Sequence, residues 1–371
     1  MNNVLGIIFS NMHEQSVSEL TVNRCMGSIP MGGRYRLIDF PLSNLANSGV
    51  EQVGVVTKSN YQSLMDHLGS GRPWDLSRKN RGLSILPPFG NAAAGMYRGR
   101  VEALAGIMGY IQHSGATEVL AADCDVMANM DYTGFLRAHR ESGAEITVMY
   151  KKVDLPEGGA RECSVFRLGD DGSVQDMLIN PQLPGRQNVY LNIFIANREF
   201  LERTVADCHS RGKTSFDKDV LQAGIGRHKI YSYEFDGYIS RFNSMHSYYQ
   251  ANMALLDTGV RAALFPRQRP VYTKIRDEAP VRYGLESKVT NSLLADGCVI
   301  EGEVENSVLF RGVRVGKDAK VKNCILMQST QVGARSNLEC VISDKDVIIR
   351  DERVIVGFNT YPVYIAKGSS V

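Results

Sequence analysis

The sequence predicts an α/β chain in two parts: a mostly parallel, doubly wound sheet, then a left-handed parallel β-helix. Two observations carry this reading. Residues 4–9 (VLGIIF), 53–57 (VGVVT) and 118–122 (EVLAA) are short apolar runs that read as buried parallel strands. From about residue 289 apolar positions recur every six residues: Cys298, Val304 and Phe310, then Val315 and Val321, then Val332 and Leu338. Gly302, Gly312, Gly316 and Gly333 fall near the turns of that pattern. One six-residue step per face and three faces per coil are the signature of a left-handed β-helix.

A chain of 371 residues is too long for one ordinary core. The expected division is 1–256 for the sheet domain, 257–288 for a linker and 289–371 for the β-helix. The linker is read from the extended stretch Phe265-Pro266-Arg267-Gln268-Arg269-Pro270. A net charge of +2 makes no case for nucleic acid or an anionic membrane. Seven cysteines, at 25, 124, 163, 208, 298, 324 and 340, form no Cys-x-x-Cys pair. They read as reduced, mostly buried thiols of a cytoplasmic protein, without zinc. The apolar run at residues 4–9 is too short for a membrane span and lacks a basic flank and a cleavage site.

The most informative stretch runs from Gly32 to Gly49. Gly32-Gly33 predicts an unobstructed turn, and Arg34 and Arg36 follow at strand spacing. Two guanidinium forks on one side suit a phosphate or a carboxylate; solvated surface arginines are the alternative. Asp39-Phe40-Pro41 opens a helix to about Asn47, ended by Ser48-Gly49. A helix over residues 60–68, stopped by Gly69, comes next, and Trp74, the only tryptophan, reads as a packing anchor.

Residues 34–44 (RYRLIDFPLSN) with Asn47-Ser48-Gly49 resemble a signature of bacterial glucose-1-phosphate adenylyltransferases, the ADP-glucose pyrophosphorylases. Pro73-Trp74-Asp75-Leu76, Leu86-Pro87-Pro88, Ala251-Asn252-Met253 and residues 302–310 match in the family's order, so the similarity covers nearly the whole chain. The resemblance implies a Rossmann-like nucleotidyltransferase (GT-A-like) domain before the β-helix.

The departures from the family pattern are as informative as the matches. After the first strand the family has a Gly-Gly-x-Gly-Thr-Arg type of loop, whose backbone amides and arginine hold phosphates. This chain has Asn11-Met12-His13-Glu14-Gln15-Ser16, with no glycine, no arginine and an added acid. The family's Lys-Pro pair aligns with Met26-Gly27, and its threonine near the nucleotide with Arg100. Arg100 either fills the old pocket, binds an anion in it, or is an exposed residue at a helix start. Asp125, two residues after Asp123, matches the metal-binding aspartate, although an acidic pair at a strand end is also a common turn former. The second metal-binding aspartate is Arg241, expected to pair internally with Asp125. A lysine for the sugar phosphate is Asn180; Lys218-Asp219 are kept, with Ser215 at a nearby aspartate position.

Positioning and electrostatics carry most of phosphoryl-transfer catalysis, so these losses predict a degenerate centre. The resemblance implies a non-catalytic regulatory or structural subunit, paired with a catalytic paralogue in a heterotetramer and tuning ADP-glucose synthesis for glycogen. No cofactor is expected. Arg24, Arg34 and Arg36 lie where related enzymes bind anionic effectors, and Arg100 is a fourth candidate; surface charge or subunit contacts are the alternative. A weak adenylyltransferase using Asp125, Lys218, Asp219 and magnesium is one rival. A stand-alone sugar-phosphate sensor is another. No histidine lies beyond His246, so the β-helix carries no histidine base for acyl transfer, and oligomer contact is its expected work.

Overall fold

In the computed structural model the described residues are 3–88, 96–157 and 162–371. Among them nine strands form one sheet. They are β1 (Val4–Phe9), β2 (Gln52–Val56), β3 (Gly82–Leu86), β4 (Glu118–Asp123), β5 (Ile146–Leu155), β6 (Ser164–Leu168), β7 (Val174–Ile179), β8 (Gly185–Asn197) and β9 (Ile230–Glu234). The order is β7-β6-β8-β4-β1-β2-β3, with β5 joining β8 to β9. Strands β4, β1, β2 and β3 run parallel, and β8 runs antiparallel beside β4. Strands β1 and β4 are buried along their whole length, as apolar runs without alternation require.

The helix Asp39–Asn47 covers one face of the sheet. It approaches closely at Gly6, where an added Cβ would stand 2.9 Å from Leu45 Cδ1. The helix Gln62–Leu68 ends at Gly69, whose φ of 51° favours glycine. Trp74 is 2% exposed and packs edge-on against His67. All seven cysteines are free and buried. No helix among the described residues is long and apolar enough to cross a membrane.

The C-terminal part is a left-handed β-helix of three parallel five-stranded sheets. One face stacks Val289, Val304, Val321, Leu338 and Ile355; the next stacks Ile300, Val315, Val332 and Ile349. Three six-residue steps would make an eighteen-residue coil, but successive coils advance by 17 or 15 residues. The corners are tight. Asn291, Asn306, Asn323 and Cys340 stack at one corner with φ between 43° and 53°. Asn tolerates this left-handed conformation better than most residues, and the Asn291 amide donates to Asn306 Oδ1 at 2.8 Å.

The first strand of this stack is Arg282–Tyr283. Between the domains lie the helix Thr258–Leu264 and an extended segment. That segment is fastened to the first domain: Asn47 Nδ2 donates to the Pro270 carbonyl, and the Tyr272 amide to Ser43 Oγ. The domains also share a core, in which Val308, Phe310, Ile325, Met327 and Ile342 belong with Met31, Phe40 and Tyr248.

Candidate functional site

Two clusters of charge stand out, one at the strand ends and one between the domains. The first is built by register. Phe9 pairs with Asp123 across β1 and β4, so the loop after β1 passes beside the carboxylates that end β4. The short strand Val126–Met127 pairs antiparallel with Ser240–Arg241, which brings Arg241 to Asp125. The Arg241 Nε donates to Asp125 Oδ2 at 3.3 Å, and its Nη2 to the Glu162 carbonyl at 2.8 Å. The expected internal ion pair is therefore present.

Arg100 begins the helix Arg100–Gly106 and is only 7% exposed, so the exposed helix-start alternative does not hold. Its Nη2 donates to Asp123 Oδ2 and its Nη1 to Asp217 Oδ1 at 3.3 Å. The guanidinium also lies over the rings of Phe9 and Phe216. Burial opposes its charge, but Asp123, Tyr190 and Asp217 outweigh that and hold it above the ordinary arginine range. As an anion-binding candidate, Arg100 already has two carboxylates as partners. Asp123 and Asp125 likewise send their side chains to arginines, which a plain turn would not require.

His13 completes the cluster. Its φ of 62° turns the ring inward. Its Nε2 lies 3.2 Å from Asp123 Oδ2 and its Nδ1 3.1 Å from Glu162 Oε2. Burial pulls its pKa down, but the Asp125 charge and the bonds to Asp123 and Glu162 push it up to about 10. Asn192 donates to Asp125 Oδ2 at 2.8 Å. Asp123 Oδ1 and Asp125 Oδ1 are buried without a partner.

Around this cluster is a cavity of about 340 Å³ whose lining includes His13, Arg100, Glu162, Asn180, Ser215 and Asp217. Glu14 is not on its wall. It turns inward, accepts the Asn11 amide at 2.6 Å and the Met26 N–H at 3.3 Å, and burial raises its pKa to about 7. The acid added to this loop therefore does not face the cavity; its role is to satisfy backbone and amide donors. Asn180, at φ 51°, accepts the Cys163 N–H at 3.0 Å across the ends of the antiparallel strands β6 and β7, a bond that a lysine cannot accept. The other residual candidates stand apart. Lys218 is exposed, and Asp219 Oδ2 accepts the Thr214 and Ser215 amides. A magnesium ion shared by Asp125 and residue 241 does not fit. Arg241 offers no ligand oxygen, and its guanidinium occupies Asp125 Oδ2.

The second cluster lies between Gly33 and the β-helix. Gly33 has φ 84°, and a Cβ there would stand 3.4 Å from the Leu309 carbonyl, so the turn passes close under the second domain. The cleft beside it is lined by Arg34, Arg36, His67, Arg276, Arg311 and Lys345, among others. Arg36 Nη1 donates to Ser63 Oγ at 3.0 Å, and Arg34 pairs with Asp296 at 3.4 Å, both partners being about half exposed. Burial, with Arg276 and Arg24 nearby, lowers Arg36 to about 10. Burial, with Arg36 and Arg24, lowers Lys345 to about 7. Arg311 Nε is buried without a partner. Arg24 is not on the cleft wall. It is buried behind it and bound to Asp344 of the β-helix at 2.7 Å. Three of the four arginines singled out in the sequence thus separate into a cleft pair and a domain tie, and Arg100 belongs to the other cluster.

Sequence reasoning missed His13 as a participant, together with Glu162, Asn192 and Asp217, and missed Arg276, Arg311 and Lys345 in the cleft. For His13 the signal was available: a residue four past the first strand reaches the end of its parallel neighbour. The cleft residues come from corners and linker that only the stacking of the β-helix brings together.

Comparison with known proteins agrees with this architecture. A nucleotidyl transferase family model matches residues 16–265, and a GlmU-like C-terminal hexapeptide model matches residues 279–361. The chain is 34% identical over 368 residues to the glycogen biosynthesis protein GlgD of Bacillus subtilis (strain 168), covering 99% of this chain and 96% of that one. It is 33% identical over 327 residues to a glucose-1-phosphate adenylyltransferase of Clostridium botulinum (strain Alaska E43 / Type E3), covering 87% and 84%. A similar match, also 33%, covers 87% of this chain and 77% of the Thermotoga neapolitana enzyme of the same name. With both domains matched in order and the signature at residues 34–44 in place, the chain belongs to the glucose-1-phosphate adenylyltransferase family of nucleotidyl transferases.

Proposed function

We propose that this chain is a non-catalytic, regulatory subunit of glucose-1-phosphate adenylyltransferase. It works in the cytoplasm beside a catalytic paralogue, in a heterotetramer that makes ADP-glucose for glycogen. The observation that carries the reading is the Arg241–Asp125 pair, a resident cation on the aspartate that a metal-dependent nucleotidyltransferase needs free. The loop after β1 supports it, since His13 there faces inward to carboxylates. The matching length of the GlgD relative supports the subunit assignment.

Regulation would enter at the cleft between the domains. Arg34, Arg36, Arg311 and Lys345 converge there from both domains, as a small phosphorylated metabolite requires. An anion bound there touches the Gly32–Gly33 turn and the β-helix together, and Arg24 extends the same contact through Asp344.

The test is adenylyltransferase activity of this chain alone, of the catalytic paralogue alone and of the two copurified. The expected result is no turnover by this chain, copurification, and a changed rate or effector response in the mixture. Robust turnover by the isolated chain, abolished in Asp125→Asn, would overturn the proposal.

A further inference from the structure

The cleft between the domains holds one amine among guanidinium groups. Lys345 stands at a corner of the β-helix, just after the strand Val341–Ser343. Its backbone is held on both sides: its N–H donates to Asp344 Oδ1 at 2.6 Å, and its carbonyl accepts the Gly368 N–H at 2.9 Å. The side chain is half-buried and lines the cleft. Among the described residues no carboxylate stands within ion-pair distance of its Nζ. Asp344, its neighbour in the chain, is engaged elsewhere. Its two oxygens accept Arg24 Nη2 at 2.7 and 3.0 Å, and Oδ2 also accepts the Tyr364 hydroxyl at 3.0 Å.

Burial lowers Lys345 to about 7, helped by Arg36, Arg24 and Lys367 and opposed by Asp344. A lysine desolvated beside other cations is kept in this way as a free amine, its nucleophilic form, near neutral pH.

The same cleft provides for a second reactant. Leu309, Leu326 and Ser343 are register partners on three successive coils, so Arg311, Gln328 and Lys345, each two residues further on, stack in one column. Arg311 is 8% exposed, and its Nε has no partner. A buried guanidinium N–H left open at a cleft wall calls for an acceptor from solution. Arg34 pairs with Asp296, which leaves Arg36, Arg276 and Arg311 for the roughly two negative charges of a phosphate group. Lys345 is then not needed as a counterion and stays free to react.

We infer that Lys345 is an acylation site: Arg36 and Arg311 hold the phosphate of a small acyl phosphate, and Lys345 Nζ takes its acyl group. The Nζ lone pair attacks the carbonyl carbon and forms the C–N bond. The bond from that carbon to the phosphate oxygen breaks, and the proton given up by the amine leaves on the phosphate. The products are an amide on Lys345 and inorganic phosphate, with no change of oxidation state. The amide has no charge, so the cleft loses a cation and holds anions less tightly. The inference rests on the reading of the cleft as an anion site, and not on the chain's being non-catalytic.

The test incubates the folded full-length chain with acetyl phosphate at pH 7 and follows each lysine by peptide mass spectrometry. Lys345 should acetylate at least about tenfold faster than the exposed Lys218 and Lys320, because far more of its amine is free at that pH. Its rate should rise through about pH 7 and level off, while theirs climb to the ordinary lysine range. Inorganic phosphate should compete. Arg36→Ala should slow transfer from acetyl phosphate more than from the neutral N-hydroxysuccinimide ester of acetate, which has no phosphate to hold. Calorimetry with inorganic phosphate should show weaker binding to the acetylated chain and to Lys345→Gln than to the wild type. If Lys345 reacts no faster than the exposed lysines although the wild type binds phosphate, the inference is overturned and the anion site stands. Acetylation of Lys345 that phosphate does not slow overturns it as well, and needs no variant to fold. A wild-type chain that binds no phosphate removes the anion site and the inference together.

Discussion

The strand-end cluster and the interdomain cleft are both rich in cations, and they treat them in opposite ways. At the strand ends Arg100, Arg241 and His13 each face carboxylates, and the shifts resolved for Arg100 and His13 are upward. In the cleft Arg36 and Lys345 are pushed down, to about 10 and about 7, by burial and by neighbouring arginines. Among the described residues, Arg34 alone of the cleft arginines and Lys345 has a carboxylate within ion-pair distance. One region has its countercharges built in; the other has room for them to come from solution. Residue type alone does not separate the two, because arginine carries both. The difference lies in which elements surround each group.

The largest expected effect comes from unbalancing the closed region. Arg100→Met removes the guanidinium from Asp123 and Asp217 and leaves buried carboxylate behind. Breaking one side of a buried ion pair costs about 3–5 kcal/mol, more than the pair itself contributes. Denaturant unfolding should show a loss of that order, and Arg100→Met combined with Asp123→Asn should recover part of it. A loss below about 1 kcal/mol in the single variant would mean that water reaches Asp123, and the contrast with the cleft would weaken.

The open region should respond in binding and not in folding. Each charge-assisted hydrogen bond to an anion contributes about 1.5–3 kcal/mol, so Arg36→Ala or Arg311→Ala should cost roughly tenfold or more in affinity for a small phosphorylated metabolite. Calorimetry on the folded variants reads this. Lys345 adds a pH dependence whose sign is set by its depressed pKa. It is charged below about 7, so anion affinity should fall between pH 6 and 8. Without an anion the sign reverses for folding. The folded state binds fewer protons than the unfolded one between about 7 and the ordinary lysine range, so Lys345 makes stability rise with pH there. Affinity that is flat across pH 6 to 8 would remove Lys345 from the anion site.

Glu14 gives an intermediate effect. Its folded pKa of about 7 exceeds its ordinary value of 4.5, so the folded state holds the proton more tightly, and this group makes stability fall as pH rises from about 4.5 to 7. Glu14→Gln keeps an acceptor for Asn11 and Met26 and removes the charge. At pH 8 it should stabilise the chain by about 1–2 kcal/mol, less than the full shift implies because Glu14 is partly solvated, and at pH 4 by nearly nothing. Equal stability changes at both pH values would show that charge is not the cause.

The fold was legible because its signals are local. Continuous apolar runs marked β1, β2 and β4, and a six-residue period marked the β-helix. The Gly32–Gly33 turn and the helix from Asp39 to Asn47 were readable residue by residue. The site was legible only where register is short: Arg241 meets Asp125 through a two-residue strand pair, and the charge reversal at that position suggested it. His13 was hidden because the loop was read for what it lacks. Lys345 and Arg311 were hidden because coils of 15 and 17 residues do not follow the eighteen-residue ideal, and their corners cannot be counted onto the cleft from the sequence alone.

The smallest expected effect is at Arg34, and it tests the contrast most narrowly. Its pair with Asp296 spans the two domains at 3.4 Å, with both side chains about half exposed. Exposed pairs of this kind contribute about 0–1 kcal/mol, so Arg34→Ala and Asp296→Ala should leave the unfolding midpoint nearly unchanged. Their effects on anion affinity should have opposite signs. Removing Arg34 takes away a cation, whereas removing Asp296 releases Arg34 from its one carboxylate. Asp296→Ala should therefore tighten anion binding by a factor of a few, as expected for the removal of one competing partner at the surface. If both variants weaken binding alike, the Arg34–Asp296 contact is holding the cleft open as a structural tie, and the anion is read by the residues behind it.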